Sequence, residues 1–337
     1  MSAKKYLVTG GTGFIGSALV HALVKAGKQV RVLDNQSRGA SRRIAGIEKQ
    51  IEFIEGDIRN PETVEKAAAG VDSVLHLAFV NGTEFFYSKP ELVLDVGVKG
   101  MVNVLDACIK HSIPELVVAS SSEVYQEPPR IPTDESVPLI IPDVHNPRYS
   151  YAAAKMISEV MALNYGKKFF ERVLIFRPHN VYGPDMGWEH VVPQFVLRMN
   201  ELCAAGSGKI SFPIQGSGEE SRSFVYIDDF TSGLMTCIEK GEHLQIYHIG
   251  TTDELTIKEL AQELAEYFGR EIEIIPGQLA KGGTSRRCPD ISKLAALGYK
   301  PAVSLKQGLK LTADWYCRNK NLAPASTQVP DLAGAKK

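Results

Sequence analysis

The chain has 337 residues, 23% of them charged, and a formal net charge of −1. Its length exceeds the roughly 250–300 residues at which a single core stops growing, so two lobes are expected. A net charge near zero gives no electrostatic reason to expect nucleic acid or an anionic membrane as a partner. Because the chain has no run of about 18 apolar residues, and the first strand begins too early for a signal peptide, we expect a cytoplasmic protein.

The cysteines are five in number, widely spaced and without a CxxC pair. This pattern argues against a disulfide framework and against a zinc site, so we expect no metal and reduced, mostly buried thiols. They are Cys108, Cys203, Cys237, Cys288 and Cys317.

A glycine-rich turn joins the first predicted strand, residues 6–9, to an amphipathic helix that begins at Phe14. Gly10 allows a tight turn, Gly13 allows backbone to approach a pyrophosphate, and Gly16 allows the helix to lie close to the strand. The helix N-terminus favours the phosphate charge. This turn predicts a dinucleotide site.

The second predicted strand, residues 29–33, ends at Asp34, 18 residues after Gly16. An acidic side chain at this place accepts a hydrogen bond from a ribose 2′-hydroxyl and repels a 2′-phosphate. We therefore expect NAD to be preferred over NADP, and the nearby Arg38 is the residue that argues against this preference.

The first half of the chain alternates short β-branched runs with helical stretches, which is typical of βαβ units and a parallel sheet. The further strands are predicted at residues 51–55, 73–77, 115–120 and 172–176. The fold class is therefore α/β, a Rossmann-type doubly wound parallel sheet with a smaller α+β substrate-binding lobe. The predicted NAD-binding domain is 1–177 with 223–250, the substrate lobe is 178–222 with 251–322, and 323–337 is a disordered tail.

Loops at the carboxyl ends of these strands are expected to carry function. Asp57 and Ile58 follow the third strand, where Asp57 either reaches the adenine edge or only caps a turn. Leu77 and Ala78 close the fourth strand beside the expected cofactor. His76, just before them, is interpreted as a core histidine whose hydrogen bonds are satisfied.

The predicted helix over residues 90–111 contains Gly97 and Gly100, which suggest a close packing contact or a cofactor contact, since glycine weakens a helix. Prolines crowd the segment 126–147, which is an extended loop that either covers a site or only connects. Tyr151 and Lys155 lie four apart on one face of the next helix, a spacing that is also common in structural pairs.

The regular alternation is lost after Pro184. The predicted elements are a helix over 191–204, a polar loop over 215–222, a strand over 223–226, a helix to 240 that returns to the first lobe, a helix over 256–268 capped by Thr256, a strand over 271–275, a loop over 276–287 with Arg286 and Arg287, and a last helix ending at 319.

In this order and spacing, five motifs and Asp34 resemble the extended short-chain dehydrogenase/reductase family, specifically its nucleotide-sugar epimerases, dehydratases and decarboxylases. The resemblance covers about residues 4–320. The motifs are Thr9-Gly10-Gly11-Thr12-Gly13-Phe14-Ile15-Gly16, Ser120-Ser121-Ser122-Glu123-Val124-Tyr125, Tyr151-Ala152-Ala153-Ala154-Lys155, Asn180-Val181-Tyr182-Gly183-Pro184 and Arg222-Ser223-Phe224.

The resemblance implies that bound NAD oxidises a sugar hydroxyl, usually at C4. A phenol with a pKa of about 10 is a poor base at neutral pH, so Tyr151 needs positive charge from Lys155 and the nicotinamide ring. Tyr151 then takes the hydroxyl proton, and Lys155 also holds the nicotinamide ribose. Ser121 matches the position that bonds the reacting oxygen, whereas its neighbours Ser120 and Ser122 are given no catalytic role.

Three further positions, Asn180, Arg222 and Arg287, match substrate-binding positions of the family. Arginine suits a nucleotide diphosphate because a guanidinium offers planar, paired donors, although exposed arginines without a ligand are the alternative. Including the glycine turn and the catalytic pair, the expected cofactor-binding residues are Gly10, Gly13, Phe14, Ile15, Gly16, Asp34, Asp57, Ile58, Leu77, Ala78, Tyr151 and Lys155.

The chain departs from the family pattern at two places, where Gly97 replaces an asparagine and Gln126 replaces a glycine. Gly97 puts in doubt any relay or helix-shaping role of that asparagine, and Gln126 suggests an unusual site entrance. Glu123 is a candidate base after oxidation, because a carboxylate near C5 of a 4-keto sugar can drive elimination or 5-epimerisation. Its alternative role is to bond backbone or a substrate hydroxyl.

Epimerisation of a nucleotide sugar is therefore expected first, and dehydration or decarboxylation using Glu123 second. A dehydrogenase that releases reduced cofactor, or a non-catalytic NAD-binding sensor, stays open because a fold does not determine its function. The resemblance also implies a homodimer formed by the helices around 90–111 and 150–170.

Overall fold

The computed structural model describes residues 4–206, 208–278 and 282–324. The strands are β1 (Lys5–Thr9), β2 (Gln29–Asp34), β3 (Ile51–Glu55), β4 (Ser73–His76), β5 (Glu115–Ala119), β6 (Arg172–Pro178), β7 (Val181–Tyr182), β8 (Ile210–Pro213), β9 (Ser221–Ser223), β10 (Val225–Tyr226), β11 (Gln245–Ile249), β12 (Glu254–Thr256), β13 (Ile272–Ile275) and β14 (Arg286–Arg287). The helices are α1 (Phe14–Lys25), α2 (Pro61–Ala68), α3 (Thr83–Ser88), α4 (Pro90–Lys110), α5 (Ser150–Phe169), α6 (Val191–Ala205), α7 (Ile227–Lys240), α8 (Ile257–Tyr267), α9 (Ser292–Ala295) and α10 (Leu305–Arg318).

A seven-stranded sheet with the order β11-β6-β5-β4-β1-β2-β3 forms the centre of the first lobe. All six strand pairs in it are parallel. After β3 the chain returns to the other side of β1, so the strand order reverses between β1 and β4. Ligands of such sheets bind outside the carboxyl ends of the strands at this reversal. The predicted Rossmann-type α/β fold is confirmed.

The seventh strand, β11, was not predicted, and the single strand predicted over 223–226 is found as parts of two short strands. That segment is divided between β9, which pairs with β12 and β14, and β10, which pairs with β7. Neither joins the central sheet. The predicted return of the helix ending near residue 240 to the first lobe is confirmed, because α7 packs against α1. The unpredicted β11 then extends the sheet beside β6.

Gly97 lets α4 pack closely against α5. A Cβ atom at this position would lie 2.6 Å from the ring of Phe79 and 2.8 Å from the Cβ of Ala154. One turn along, a Cβ at Gly100 would lie 2.3 Å from Ile58. Of the two expectations for these glycines, a packing contact is the one the structure shows.

The proline-rich segment ties the two lobes together. The backbone N–H of Thr133 donates to the carbonyl of Cys288 at 2.8 Å, and the N–H of Asp290 donates to the carbonyl of Thr133 at 2.7 Å. Glu135 accepts from the backbone N–H of His248 at 2.9 Å. This part of the predicted 126–147 loop therefore connects, and it attaches the end of β5 to the strand that carries Arg287.

The second lobe packs α6, α8 and α10 around short sheets, and the capping box that begins α8 joins Thr256 to Glu259 as the sequence predicts. Of the predicted tail, only residues 323 and 324 lie within the described part of the chain. No helix in the described ranges is both long enough and apolar enough to cross a membrane.

Candidate active site

A cavity of about 530 Å³ opens at the carboxyl ends of the central strands. Its lining includes all twelve residues that were expected to bind the cofactor, together with Ser121, Glu123, Asn180 and Arg287. Arg222 is not among the described residues that line it. The sequence-predicted site is therefore brought together in one place except for this arginine.

The glycine turn provides the surface that a dinucleotide requires. Gly10 has a φ of +75°, and a Cβ on it would lie 2.8 Å from the backbone of Ala78. A Cβ on Gly16 would lie 2.0 Å from the carbonyl oxygen of Gly10. Gly13 lines the cavity as the N-cap of α1, and apart from its chain neighbours Gly10 is the only described residue within 4 Å of its Cβ position. The backbone can thus approach a pyrophosphate at the N-terminus of α1, and the residues fit NAD.

Asp34 lies at the end of β2, in the place expected for the adenosine ribose. It is 8% exposed, and its Oδ2 accepts from the backbone N–H of Thr12 at 2.9 Å. Its Oδ1 accepts from the backbone N–H of Gln36 at 2.7 Å. These bonds hold the carboxylate in one orientation at the cavity wall.

Asp57 has the role of a turn residue and His76 that of a core histidine, both of which the sequence analysis considered. Asp57 accepts from the backbone and side chain of Arg59, as a turn residue does, while it also lines the cavity. His76 is 4% exposed and shares a hydrogen bond of 2.9 Å with Thr9, so the interpretation as a satisfied core histidine is confirmed.

Tyr151 lies between two aromatic rings. Its ring stacks on Phe86 with centroids 4.7 Å apart and meets the edge of Phe79 at 5.1 Å. Burial raises the pKa of Tyr151 to about 12, whereas a side-chain hydrogen bond with Ser121 lowers it. Because the phenol is held neutral by burial, it becomes a base only when positive charge is placed beside it.

Lys155 projects from the same face of α5 as Tyr151. Its Nζ donates to the carbonyl of Ala119 at 2.7 Å and lies 3.9 Å from the ring centroid of Phe79. Burial lowers the pKa of Lys155 to about 7, and Glu159 acts to raise it. The charge of Lys155 near neutral pH therefore depends on its acidic neighbour.

Glu123 is the second residue of the short turn Ser122–Tyr125 after β5, and it is ion-paired to arginines from elsewhere in the chain. Its Oε1 accepts from Arg287 at 2.7 Å, and Arg148 lies 3.9 Å from its other oxygen. Burial alone raises the pKa of Glu123, but Arg287, Arg148 and Arg222 outweigh it, so the pKa lies below its usual value. We call these three arginines the arginine cluster.

Arg148 was not singled out in the sequence. It precedes α5 by two residues, in the turn Pro147–Tyr149, and no motif marks it. Arg222 donates to the carbonyls of Thr284 and Ser285. Burial and the neighbouring charge of Arg287 lower the pKa of Arg222 to about 10.

Asn180 has its side chain turned toward the backbone of the second lobe. Its Nδ2 donates to the carbonyl of Ser223 at 3.0 Å, and its φ of +39° is in the left-handed region that asparagine tolerates. The residue thus joins the end of β6 to β9 while lining the cavity.

A buried polar network lies beneath the site. It was not predicted from the sequence. Arg177 donates to both oxygens of Glu159, at 2.8 and 2.6 Å, and Ser120 donates to the same carboxylate. Arg177 also donates to Tyr125, whose hydroxyl lies 2.6 Å from Nε2 of His248. Four elements around α5 are held in register by these bonds.

Comparison with known proteins places this geometry among nucleotide-sugar enzymes. A family model described as the NAD dependent epimerase/dehydratase family matches residues 6–250. A putative UDP-glucose 4-epimerase of Methanocaldococcus jannaschii is 32% identical, with 93% of this chain and 98% of the relative covered. A UDP-N-acetyl-alpha-D-glucosaminuronate decarboxylase of Bacillus cytotoxicus is 30% identical, with 93% and 98% covered. The crystal structure of a dTDP-glucose 4,6-dehydratase from Streptomyces venezuelae with NAD bound is similar with a TM-score of 0.83 at 30% identity, covering 94% of this chain and 98% of the other.

Proposed function

Because the chain belongs to the NAD-dependent epimerase/dehydratase family and is an enzyme of that kind using NAD, we propose that it is a nucleotide-sugar epimerase acting through C4. The substrate is a nucleoside diphosphate sugar whose C4 hydroxyl is oxidised to a ketone and then reduced again on the other face. NAD, when bound, accepts the hydride and returns it.

The chain's own residues manage the proton and hold the substrate. Tyr151 takes the proton of the C4 hydroxyl through its phenol oxygen, and Ser121, which bonds the phenol, orients the same oxygen. Lys155 supplies positive charge on the cofactor side. The glycine turn and Asp34 hold the two ends of the dinucleotide's adenosine diphosphate.

The arginine cluster around Glu123 is the observation that favours epimerisation. Three arginines around one carboxylate leave an excess of positive charge at the end of the cavity that Arg287 lines, and this excess favours a diphosphate substrate. The same cluster keeps Glu123 ionised and paired, so Glu123 is a weak base and has no proton to give to a leaving hydroxyl. A neutral hexose that reacts only at C4 needs neither a base at C5 nor an acid that protonates a leaving hydroxyl.

Dehydration or decarboxylation is the second candidate, because Glu123 lines the same cavity as Tyr151 and is near enough to raise the pKa of its phenol. A substrate that displaces Arg287 from Glu123 would free the carboxylate to act at C5. Relatives named as a dehydratase and a decarboxylase make this chemistry a real competitor.

The test is a screen of UDP-, GDP-, CDP- and dTDP-sugars in deuterated water, read by mass spectrometry and NMR. We expect one nucleotide sugar to give a product of unchanged mass, inverted at C4, with no deuterium at C5 and no accumulation of reduced cofactor. Loss of water or carbon dioxide would establish the second candidate instead. Stoichiometric consumption of free NAD⁺ would indicate a dehydrogenase, and binding of NAD without turnover of any sugar would favour a sensor.

The partner expected in solution is a second copy of the chain. We propose a homodimer in which α4 and α5 of each subunit form a four-helix interface, because these helices pack side by side and expose apolar residues on one side.

A further inference from the structure

The turn after β2 is linked across the cavity mouth to the segment after β7 by ion pairs. Arg42 binds the carboxylate of Asp185 through Nε at 3.0 Å, and Arg43 donates to the backbone carbonyl of Asp185 at 2.8 Å. Arg38 is paired with Glu189. Arg38 thus has the carboxylate of Glu189, whereas Arg42 and Arg43 share that of Asp185, and both carboxylates belong to the second half of the chain.

Of the three arginines in this turn, Arg38 is the nearest in sequence to Asp34, where the ribose is expected to bind. Its neighbour Gly39 is so close to Asp34 that a Cβ there would lie 3.0 Å from Oδ1 of the carboxylate. The guanidinium itself lies over the ring of Phe85, 4.8 Å from the centroid, and 3.2 Å from the Cβ position of Gly82. The backbone of Arg38 therefore lies beside the ribose site, while its guanidinium is held against Phe85 and Gly82.

Glu189 holds the guanidinium of Arg38 in this position. Among the residues that the structure describes, Glu189 is the only carboxylate paired with Arg38. The two side chains are 30% and 25% exposed, so both have room to rotate. Arg43, in contrast, is 10% exposed and is also bonded to the carbonyl of Thr12, so it has less freedom to move.

We propose that Glu189 is a specificity-determining residue for the cofactor, which keeps Arg38 neutralised and away from the adenosine ribose. A 2′-phosphate carries about two negative charges and needs a free guanidinium to compensate them. With Arg38 sequestered, the carboxylate of Asp34 favours a 2′-hydroxyl over a 2′-phosphate at the ribose site. Removing the charge of Glu189 frees Arg38, which needs only side-chain rotation to meet a 2′-phosphate.

The experiment compares adenosine 2′,5′-bisphosphate with ADP as calorimetric probes of the full-length protein freed of nucleotide. For Glu189→Gln, we expect affinity for the 2′,5′-bisphosphate to rise about tenfold or more, while ADP affinity changes less than about threefold. The double variant Arg38→Ala/Glu189→Gln should lose the gain. Arg42→Ala is the matched control, because it breaks an ion pair between the same two segments without releasing Arg38.

Two results would overturn the proposal. One is an unchanged preference between the two probes in Glu189→Gln when ADP binding shows the site to be intact. The other is a gain that persists in the double variant or that appears equally in Arg42→Ala, since the effect would then come from loosening the segment rather than from Arg38.

Discussion

At the scale of single residues, Tyr151 is a phenol in an aromatic slot that phenylalanine would fill equally well. Tyr151→Phe keeps the contacts with Phe79 and Phe86 but removes the proton acceptor. We expect turnover to fall by about 10²-fold to 10⁴-fold, with NAD binding nearly unchanged. The measurements are steady-state kinetics with the identified sugar and NAD titration by fluorescence. Lys155→Met should lower turnover and also weaken NAD binding. Near-normal turnover of Tyr151→Phe would contradict the mechanism.

The Glu123–Arg287 ion pair makes stability depend on pH. Because the pKa of Glu123 is lowered in the folded state, its contribution is fully present above the unfolded value of about 4.3 and is lost as the pH falls through the folded value. We expect Glu123→Gln to be less stable than wild type by about 1–3 kcal/mol at pH 7. The difference should narrow as the pH is lowered toward about 3.

Urea unfolding of both proteins across this pH range measures the difference. Glu219→Gln, which removes an exposed carboxylate, is the control and should follow wild type throughout. A gap between Glu123→Gln and wild type that stays constant with pH would mean that Glu123 is not ionised through its arginines.

The site residues that carry local motifs were predictable from the sequence, and their partners were not. Tyr151 and Ser121 belong to recognisable patterns, and both line the cavity. The pairing of Glu123 with Arg287 joins positions 164 residues apart, which no spacing rule connects. Arg148 has no motif at all, and the depressed pKa of Lys155 arises from burial that only the packed structure defines.

At the scale of elements, α4 and α5 expose apolar side chains that a single subunit does not cover. On α5, Ile157 is 41% and Val160 is 59% exposed, and on α4, Leu94 is 38% exposed. We expect the wild type to sediment as a dimer at micromolar concentration and Ile157→Glu/Val160→Glu to sediment as a monomer, because the carboxylates would be buried in the four-helix interface.

Leu311→Glu on α10 is the matched control for this interface, because Leu311 is 42% exposed on a different face of the molecule and should leave the dimer intact. A wild-type protein that sediments as a monomer would contradict the proposed interface. A dimer that persists in the double variant on α5 but is lost in Leu311→Glu would show that the interface lies at α10.

The regular alternation of β-branched runs with helical stretches made most central strands predictable. The errors at β11 and at residues 223–226 occur where this alternation is absent. The unpredicted strand β11 carries His248, which is fully buried and interrupts the apolar run that a central strand normally shows. Its ring is satisfied by Tyr125 and by the carbonyl of Asp290, both distant in sequence. The segment 223–226 reads as one strand, but Phe224 separates two short pairings in different sheets.

At the scale of the whole molecule, the two lobes share one hydrophobic core. Val32 and Leu75 of the central sheet belong to the same buried cluster as Phe212, Leu260 and Tyr316 of the second lobe. The segment around Thr133 and the ion pairs of Arg42 and Arg43 with Asp185 add polar links between the lobes. The predicted division into two domains therefore does not correspond to two separately packed cores.

A shared core predicts that both lobes unfold in one cooperative transition. The chain has two tryptophans, Trp188 and Trp315, whose rings lie 5.9 Å apart against the second lobe, so their fluorescence reports on that lobe. Far-UV circular dichroism reports on all helices and strands. We expect the two signals to change together in urea. Leu75→Ala, which makes a cavity in the central sheet far from both tryptophans in sequence, should lower the unfolding free energy measured by either signal by about 2–5 kcal/mol. If Leu75→Ala shifted the circular dichroism transition and left the tryptophan transition in place, the lobes would be separate folding units, and the shared cluster would not couple their unfolding.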